Sequence, residues 1–298
     1  MDFEEENQEL GADGRPSGIE MEIDSIPFEP FDPASISIEP KGLQMDHLLR
    51  RLRQGSIRLA PAFQRKFVWD QERSSLLIES LMLRIPLPMF YVAANEDGTW
   101  DVVDGLQRLT TIRNFLLGEE VDSKGEKLIK EAEPFELEKL EFWGDHFDGM
   151  TFSKLLQSPS HARIVNNIME TELRFTVINP ATPDEVKRNI FKRINTGGMP
   201  LTSQEIRHAL YQGHSTKLLQ EMVEFSEFKE AVGRNVDDSR MAARELALRF
   251  LAFYIHDIDQ YEGNMDKFLS DTMRLINCAP EFDTEKLKRI FRNKPNFS

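Results

Sequence analysis

Cysteine is almost absent from this 298-residue chain, with Cys278 the single example. One thiol excludes an intramolecular disulfide and fits a reducing, cytoplasmic setting. Cys278 follows the apolar residues Met273, Leu275 and Ile276 near a helix end, where a buried structural thiol is expected. Long hydrophobic runs are missing too, and the N-terminus lacks the basic-then-apolar order of a secretory signal. The expectation is therefore a soluble chain with no membrane partner. Six histidines (His47, His146, His161, His208, His214 and His256) are scattered without the spacing of metal ligands. Internal repeats are also lacking.

Basic residues are scarce at one end. The whole chain has 37 bases against 51 acids, a net charge of −14. Residues 1–40 hold 12 of those acids and one base, Arg15, so −11 sits in the tail and −3 in the rest. With its prolines and few aliphatics, this segment reads as a disordered acidic tail. A tail of that sign can also lie over a basic groove and compete with nucleic acid. The segment Lys41 to Arg73 supplies the candidate, with eight bases against three acids. Arg50, Arg51, Arg53 and Lys66 are its expected nucleic-acid contacts.

Length allows two domains. Residues 41–182 mix helix and strand patterns, whereas 183–298 read as helical throughout. The stretch 118–160 is charged and irregular, with Phe142, Trp143, Phe147 and Phe152 embedded in it, and reads as an insertion over the functional site or a partner surface. Within the first domain, strands are predicted at 56–59, 90–94, 99–103 and 172–178, and helices at 71–83 and 106–117.

Three segments carry chemistry. In Asp104-Gly105-Leu106-Gln107-Arg108-Leu109-Thr110-Thr111 a strand turns into a helix, with Leu106, Leu109, Ile112, Leu116 and Leu117 at helical spacing and Gly118 at the end. Gly105 sits at the helix start, where unpaired amides and the helix dipole favour an anion, and Arg108 in the first turn can offer a planar fork. A plainer alternative is that Asp104 caps the helix and Arg108 is solvated. The second segment is Phe63-Gln64-Arg65-Lys66-Phe67-Val68-Trp69, a polar and aromatic loop between a strand and a helix. The third runs from Phe191 to Thr202, where a helix over 184–194 ends in Asn195-Thr196-Gly197-Gly198 and Thr202 or Ser203 caps the next helix. A concave run of amides there can hold an anion.

Taken in order, Phe63-Gln64-Arg65, Asp104-Gly105-Leu106-Gln107-Arg108 and Phe191-Lys192-Arg193-Ile194-Asn195-Thr196-Gly197-Gly198-Met199-Pro200-Leu201-Thr202 resemble the GmrSD-type restriction endonuclease N-terminal domain family, over about Leu43 to Gln212. The resemblance implies an α+β, ParB/sulfiredoxin-like nucleotide-binding domain followed by an all-helical domain. It also implies a nucleoside triphosphate with Mg2+, the base unspecified. Asp104, Gln107 and Arg108 are the catalytic candidates, with Asp104 holding the metal or orienting water. Gln64, Arg65, Gly105, Arg108, Thr110, Thr111, Arg193, Asn195, Gly197 and Gly198 are the nucleotide-binding candidates, Arg65 and Arg108 neutralising phosphate charge.

Departures from the family matter as well. Leu106 stands where glutamine is usual, which bears on turnover. Family members that cut DNA alone carry an appended His-Asn-His-type nuclease, and no such segment follows here, so a separate nuclease is expected. Sulfiredoxin chemistry requires a thiolate at the phosphate site, and Cys278 is remote from every motif. The leading expectation is an NTP-hydrolysing component of a DNA-directed, anti-phage or restriction-type defence system, with a homo-oligomer left open. A non-catalytic nucleotide- or DNA-binding switch is the alternative. A ParB-like nuclease comes last, because Asp101 and Asp104 are three apart on a strand and point to opposite faces.

Overall fold

The computed structural model describes residues 8–10, 16–20, 36–59, 69–194, 201–233, 236, 238–278 and 283–293. A five-stranded sheet forms from β3 (Ile38–Gln44), β4 (Ile57–Arg58), β5 (Phe90–Ala94), β6 (Trp100–Asp104) and β7 (Glu172–Ile178). Its order is β3-β7-β5-β6-β4. β3 runs antiparallel to β7 and β5 antiparallel to β6, whereas β5 is parallel to β7 and β4 parallel to β6. Phe90 and Val92, Trp100 and Val102, and Leu173, Phe175 and Val177 alternate along their strands and share one buried core. Phe90 stacks on Phe175 with ring centroids 5.1 Å apart.

That core is closed by helices with matching apolar stripes: α1 (Met45–Arg53), α2 (Gln71–Met82), α3 (Leu106–Leu117) and α6 (Ala162–Met169). Leu48 and Leu49, Ile78 and Leu81, Leu109 and Ile112, and Ile164 and Ile168 enter it. α2 starts at Asp70, whose carboxylate accepts the Arg73 amide at 2.8 Å.

The stretch 118–160 is part of this core. It contains α4 (Gly144–Phe147) and α5 (Phe152–Gln157), and it buries Leu137, Leu140, Phe147, Phe152 and Leu155. Its contacts reach the second half of α3, where Phe115 meets Phe135 and Phe152 and Arg113 donates to the Glu131 carbonyl. On α2, the buried carboxylate of Glu79 accepts the backbone amides of Glu141, Phe142 and Trp143, each at 2.9 Å. Three oriented dipoles on one carboxylate fix an otherwise irregular chain.

Unstructured chain was expected over 1–40, yet parts of it are ordered. β1 (Gln8–Leu10) pairs antiparallel with β2 (Pro16–Glu20), and β2 packs on α11 (Ala242–Ile255). β3 begins at Ile38 and pairs with β7 along its whole length. Pro40 inside that strand hid it from the pattern, and an edge strand tolerates proline because one side of its backbone needs no partner.

Among the described residues, two compact units result: one holds 36–59 and 69–187, the other 8–10, 16–20 and the chain from Arg188 onward. The division falls inside α7 (Asp184–Ile194), a few residues beyond the expected 182/183 boundary. The second unit contains α8 (Ser203–Leu210), α9 (His214–Val223), α10 (Ser226–Val232), α11, α12 (Met265–Cys278) and α13 (Thr284–Asn293). Because it also carries the β1–β2 ribbon, it is not all-helical. Leu219, Met222, Leu248, Leu251, Leu269, Met273 and Phe291 form its core. Cys278, expected to be buried, is exposed, since α12 turns Leu269, Met273 and Ile276 inward and leaves residue 278 on the outer side.

Candidate active site

β6 delivers Asp104 to the start of α3, and the residue between them decides the geometry. Gly105 has φ +89°, the left-handed region, and serves as the N-cap without a side chain to cap with. The amides at the start of α3 therefore have no intrahelical acceptor and no cap. A β-carbon at Gly105 would overlap the Phe90 ring and lie 3.0 Å from Arg108 Nη2. Gly105→Ala is expected to destabilise the sheet-containing unit by about 2–4 kcal/mol, from left-handed strain plus overpacking. Chemical denaturation checks it, and a loss below about 1 kcal/mol would show that the turn relaxes freely.

Arg108 does not stand solvated. Its guanidinium lies 4.5 Å over the Phe90 ring, donates to the Pro88 carbonyl and to the Met89 carbonyl at 3.2 Å, and pairs with Asp104 at 2.9 Å. Burial lowers its pKa and the neighbouring Asp104 carboxylate opposes that shift. These internal contacts hold Asp104 and the start of β5. Asp104 neither caps the helix nor is buried, since 36% of its side chain stays accessible.

The other expected site residues divide clearly. Gln107 is half-buried and its Oε1 has no partner, and Thr110 is half-buried beside it on α3. Thr111 is fully buried. Leu106 packs against the core, which accounts for an apolar residue where the family carries glutamine. Arg193 is exposed near the end of α7. Gln64, Arg65, Lys66, Asn195, Gly197 and Gly198 lie outside the described residues.

Of the arginines expected to meet nucleic acid, Arg50 is exposed. Arg51 lies 3.8 Å over the Trp100 ring and donates to the Gly98 carbonyl, and Arg53 pairs with Glu120. Asp101 is buried opposite Arg58 in the β4–β6 register and accepts a hydrogen bond from Asn95 Nδ2 at 2.6 Å; burial raises its pKa.

The model of the GmrSD restriction endonuclease N-terminal domain matches residues 46–212, more than half of the chain. The chain belongs to the GmrSD restriction endonuclease N-terminal domain family. No curated protein and no solved structure matches it. The GmrSD-type region begins in α1 and ends just beyond α8, so it takes in the β6–α3 junction and both helices that flank Asn195-Thr196-Gly197-Gly198. Membership supports a restriction-type, defence role. No helix among the described residues is long and apolar enough to cross a membrane.

One feature of the GmrSD-type region escaped sequence reasoning. Arg207 on α8 is completely buried, donating to Asp266 at 2.6 Å, to Glu245 at 2.8 Å and to Gln204 at 2.9 Å. Arg188 on α7 pairs with the same Asp266 and donates to Ser270 at 3.1 Å, while Arg249 pairs with Glu245 at 2.7 Å. Glu205 closes a capping box with Thr202 and pairs with Arg240 at 2.9 Å. The start of α8 is thereby capped by its own Thr202 and Glu205. Next to Arg207, burial and Arg244 lower the His208 pKa to about 3, so this imidazole is neutral at physiological pH. The sequence signals were Thr202-Ser203-Gln204-Glu205 and the charged residues inside otherwise apolar helices.

Proposed function

We propose that this chain is the nucleotide-binding, NTP-hydrolysing component of a DNA-directed restriction-type system, acting with a separate nuclease. The observation that carries this reading is the left-handed Gly105 cap, which leaves the first-turn amides of α3 open beside a partly accessible carboxylate. Such a helix start, with unpaired amides and the positive end of the helix dipole, accepts a phosphate oxygen. A phosphate and Asp104 repel unless a cation lies between them. Mg2+ typically takes one or two carboxylates and fills its remaining positions with water and phosphate oxygens, which fits Asp104.

In this reading Mg2+ supplies charge neutralisation of the phosphates when bound. Asp104 holds it or orients water, Arg108 holds Asp104, and Gln107, whose buried Oε1 has no partner, is the third catalytic candidate. Arg193, Asn195, Gly197, Gly198, Gln64 and Arg65 are nucleotide-binding candidates by resemblance to the family. A ParB-like ancestry of the sheet-containing unit belongs to the same proposal, as does DNA contact at Arg50. The nuclease alternative lacks support. Among the described residues no group of three or more His, Cys, Asp or Glu can hold a metal, whereas two-metal phosphodiester chemistry needs clustered carboxylates. A non-hydrolysing switch is the second reading, favoured by Leu106 packing into the core where an amide would face the site.

Phosphate release from each of the four ribonucleoside triphosphates, with Mg2+ and with or without DNA, tests the proposal. Asp104→Asn is expected to reduce release by about 10²-fold or more while the chain stays folded. Wild-type release in that variant would remove Asp104 from the chemistry. Bound nucleotide with no release from the wild type would establish the switch.

A further inference from the structure

We infer that the far end of α11 and the turn after it form a docking surface for a protein partner whose contacting segment sets arginine or lysine around an apolar anchor. The inference goes beyond the nucleotide reading and does not depend on it. The surface belongs to the second unit alone and lies outside the GmrSD-type match. Its floor is Phe268 of α12, which is buried and met by the rings of Phe253 at 5.2 Å and Tyr261 at 5.4 Å. Phe253 and Tyr261 also meet each other edge to face at 5.8 Å, and Tyr254 stacks on Phe250 at 6.3 Å. The outer side of this layer is open. Phe253 is 44% exposed, Tyr254 43%, and Ile258, in the short 3-10 turn Ile258–Gln260, 75%. One exposed apolar side chain is ordinary on a protein surface, but three within six consecutive residues, on rings that already pack together, make a patch that a partner gains by covering.

The charges around the patch select the partner. From Phe250 to Asp266 the chain has four acids, Asp257, Asp259, Glu262 and Asp266, and no lysine or arginine. Asp266 is buried and paired with Arg207. The other three are exposed. Glu262 pairs with Lys267 at 3.1 Å, whereas Asp257 and Asp259, on either side of Ile258, make no ion pair among the described residues. The nearest base before the patch, Arg249, is engaged by Glu245 at 2.7 Å. Two carboxylates beside open aromatic faces suit a guanidinium, which can pair with the acid and stack on the ring. Ile258 between them calls for an apolar group opposite it. The same carboxylates repel phosphates, so nucleic acid is not the occupant.

The test uses the full chain and a short fluorescent peptide with leucines set among arginines, read by anisotropy. Its counterpart is the same peptide with glutamate in place of arginine. The arginine peptide is expected to bind, more weakly as salt is added, and the glutamate peptide not to bind. Phe253→Ser combined with Ile258→Ser is expected to lower affinity by about tenfold or more. Asp257→Asn combined with Asp259→Asn is expected to lower it by about fivefold and to flatten the salt dependence. All four side chains are exposed, so both double variants should keep the wild-type thermal unfolding curve. Leu156→Ser, at an exposed apolar position of the other unit, should bind as the wild type does. Amide hydrogen exchange over residues 253–262 is expected to slow when the peptide is bound. Equal binding of the two peptides, no binding of either, or wild-type affinity in either double variant overturns the inference. Binding of a labelled random-sequence DNA duplex that the Phe253 and Ile258 variant loses overturns it as well.

Discussion

Glu79→Leu is expected to cost the sheet-containing unit about 3–5 kcal/mol, although the new side chain is apolar and the site is buried. Glu79 is 3% exposed and accepts three backbone amides, those of Glu141, Phe142 and Trp143. Hydrogen bonds to a charged acceptor contribute about 1.5–3 kcal/mol each, and an unsatisfied buried donor costs about 1–3 kcal/mol. The loop can reach water by moving outward, which holds the total below the sum. Moving outward also pulls Leu140 and Phe147 from the core, so the relief is partial. Glu79→Gln keeps an acceptor and the shape, and is expected to cost about 1–2 kcal/mol. Equal losses in the two variants, by chemical denaturation, would show that the carboxylate does not organise the 141–143 turn.

A comparable loss is expected in the helical unit from Arg207→Met. The side chain is fully buried, and removing it strands Glu245 and Asp266 with fewer partners. Breaking a buried charge cluster from one side costs about 3–5 kcal/mol, far more than the net contribution of an intact pair. Arg249 still pairs with Glu245 and Arg188 with Asp266, which keeps the loss within that range. Arg207→Lys is expected to fall between the two, because an ammonium keeps the charge but cannot span Asp266, Glu245 and Gln204 at once. Since the chain divides into two compact units, the Glu79 and Arg207 variants should lower different unfolding transitions. A single transition lowered equally by both would show that the units unfold together.

Much of the fold was legible because it depends on neighbours along the chain. The β5–β6 hairpin, α3 from Leu106 to Leu117, β7 from Glu172 to Ile178 and α7 from Asp184 to Ile194 stand where apolar spacing and turn residues put them. Each is written in periods of two or 3.6, interrupted by Asn, Gly or Pro. The order in the N-terminal 40 residues was not legible. β3 shows no clean alternation, and its stability comes from pairing with β7, whose partner residues lie 128 to 140 positions later in the chain. Net charge described that segment's solubility and said nothing of its pairing.

The site shows the same division. Gly105 at a strand-to-helix turn was readable, because only a residue free to adopt positive φ suits that position. The state of Arg108 was not, since its stacking on Phe90 and its donation to Pro88 and Met89 join residues of β5 to α3. Thr111 looked available in the motif and is buried, because α3 turns that face inward.

By itself, then, the sequence determined the family, the strand–turn–helix that carries Asp104 and Gly105, and the helices on either side of Asn195-Thr196-Gly197-Gly198. Those follow from local spacing and backbone freedom. The tertiary structure alone decided which charges are free to act. Arg108, Arg51, Arg53 and Arg207 are all equally charged on paper, yet long-range contacts with Phe90, Trp100, Glu120 and Asp266 engage every one of them. Charge is a property of the residue, but its availability depends on partners that only folding brings within a few ångströms.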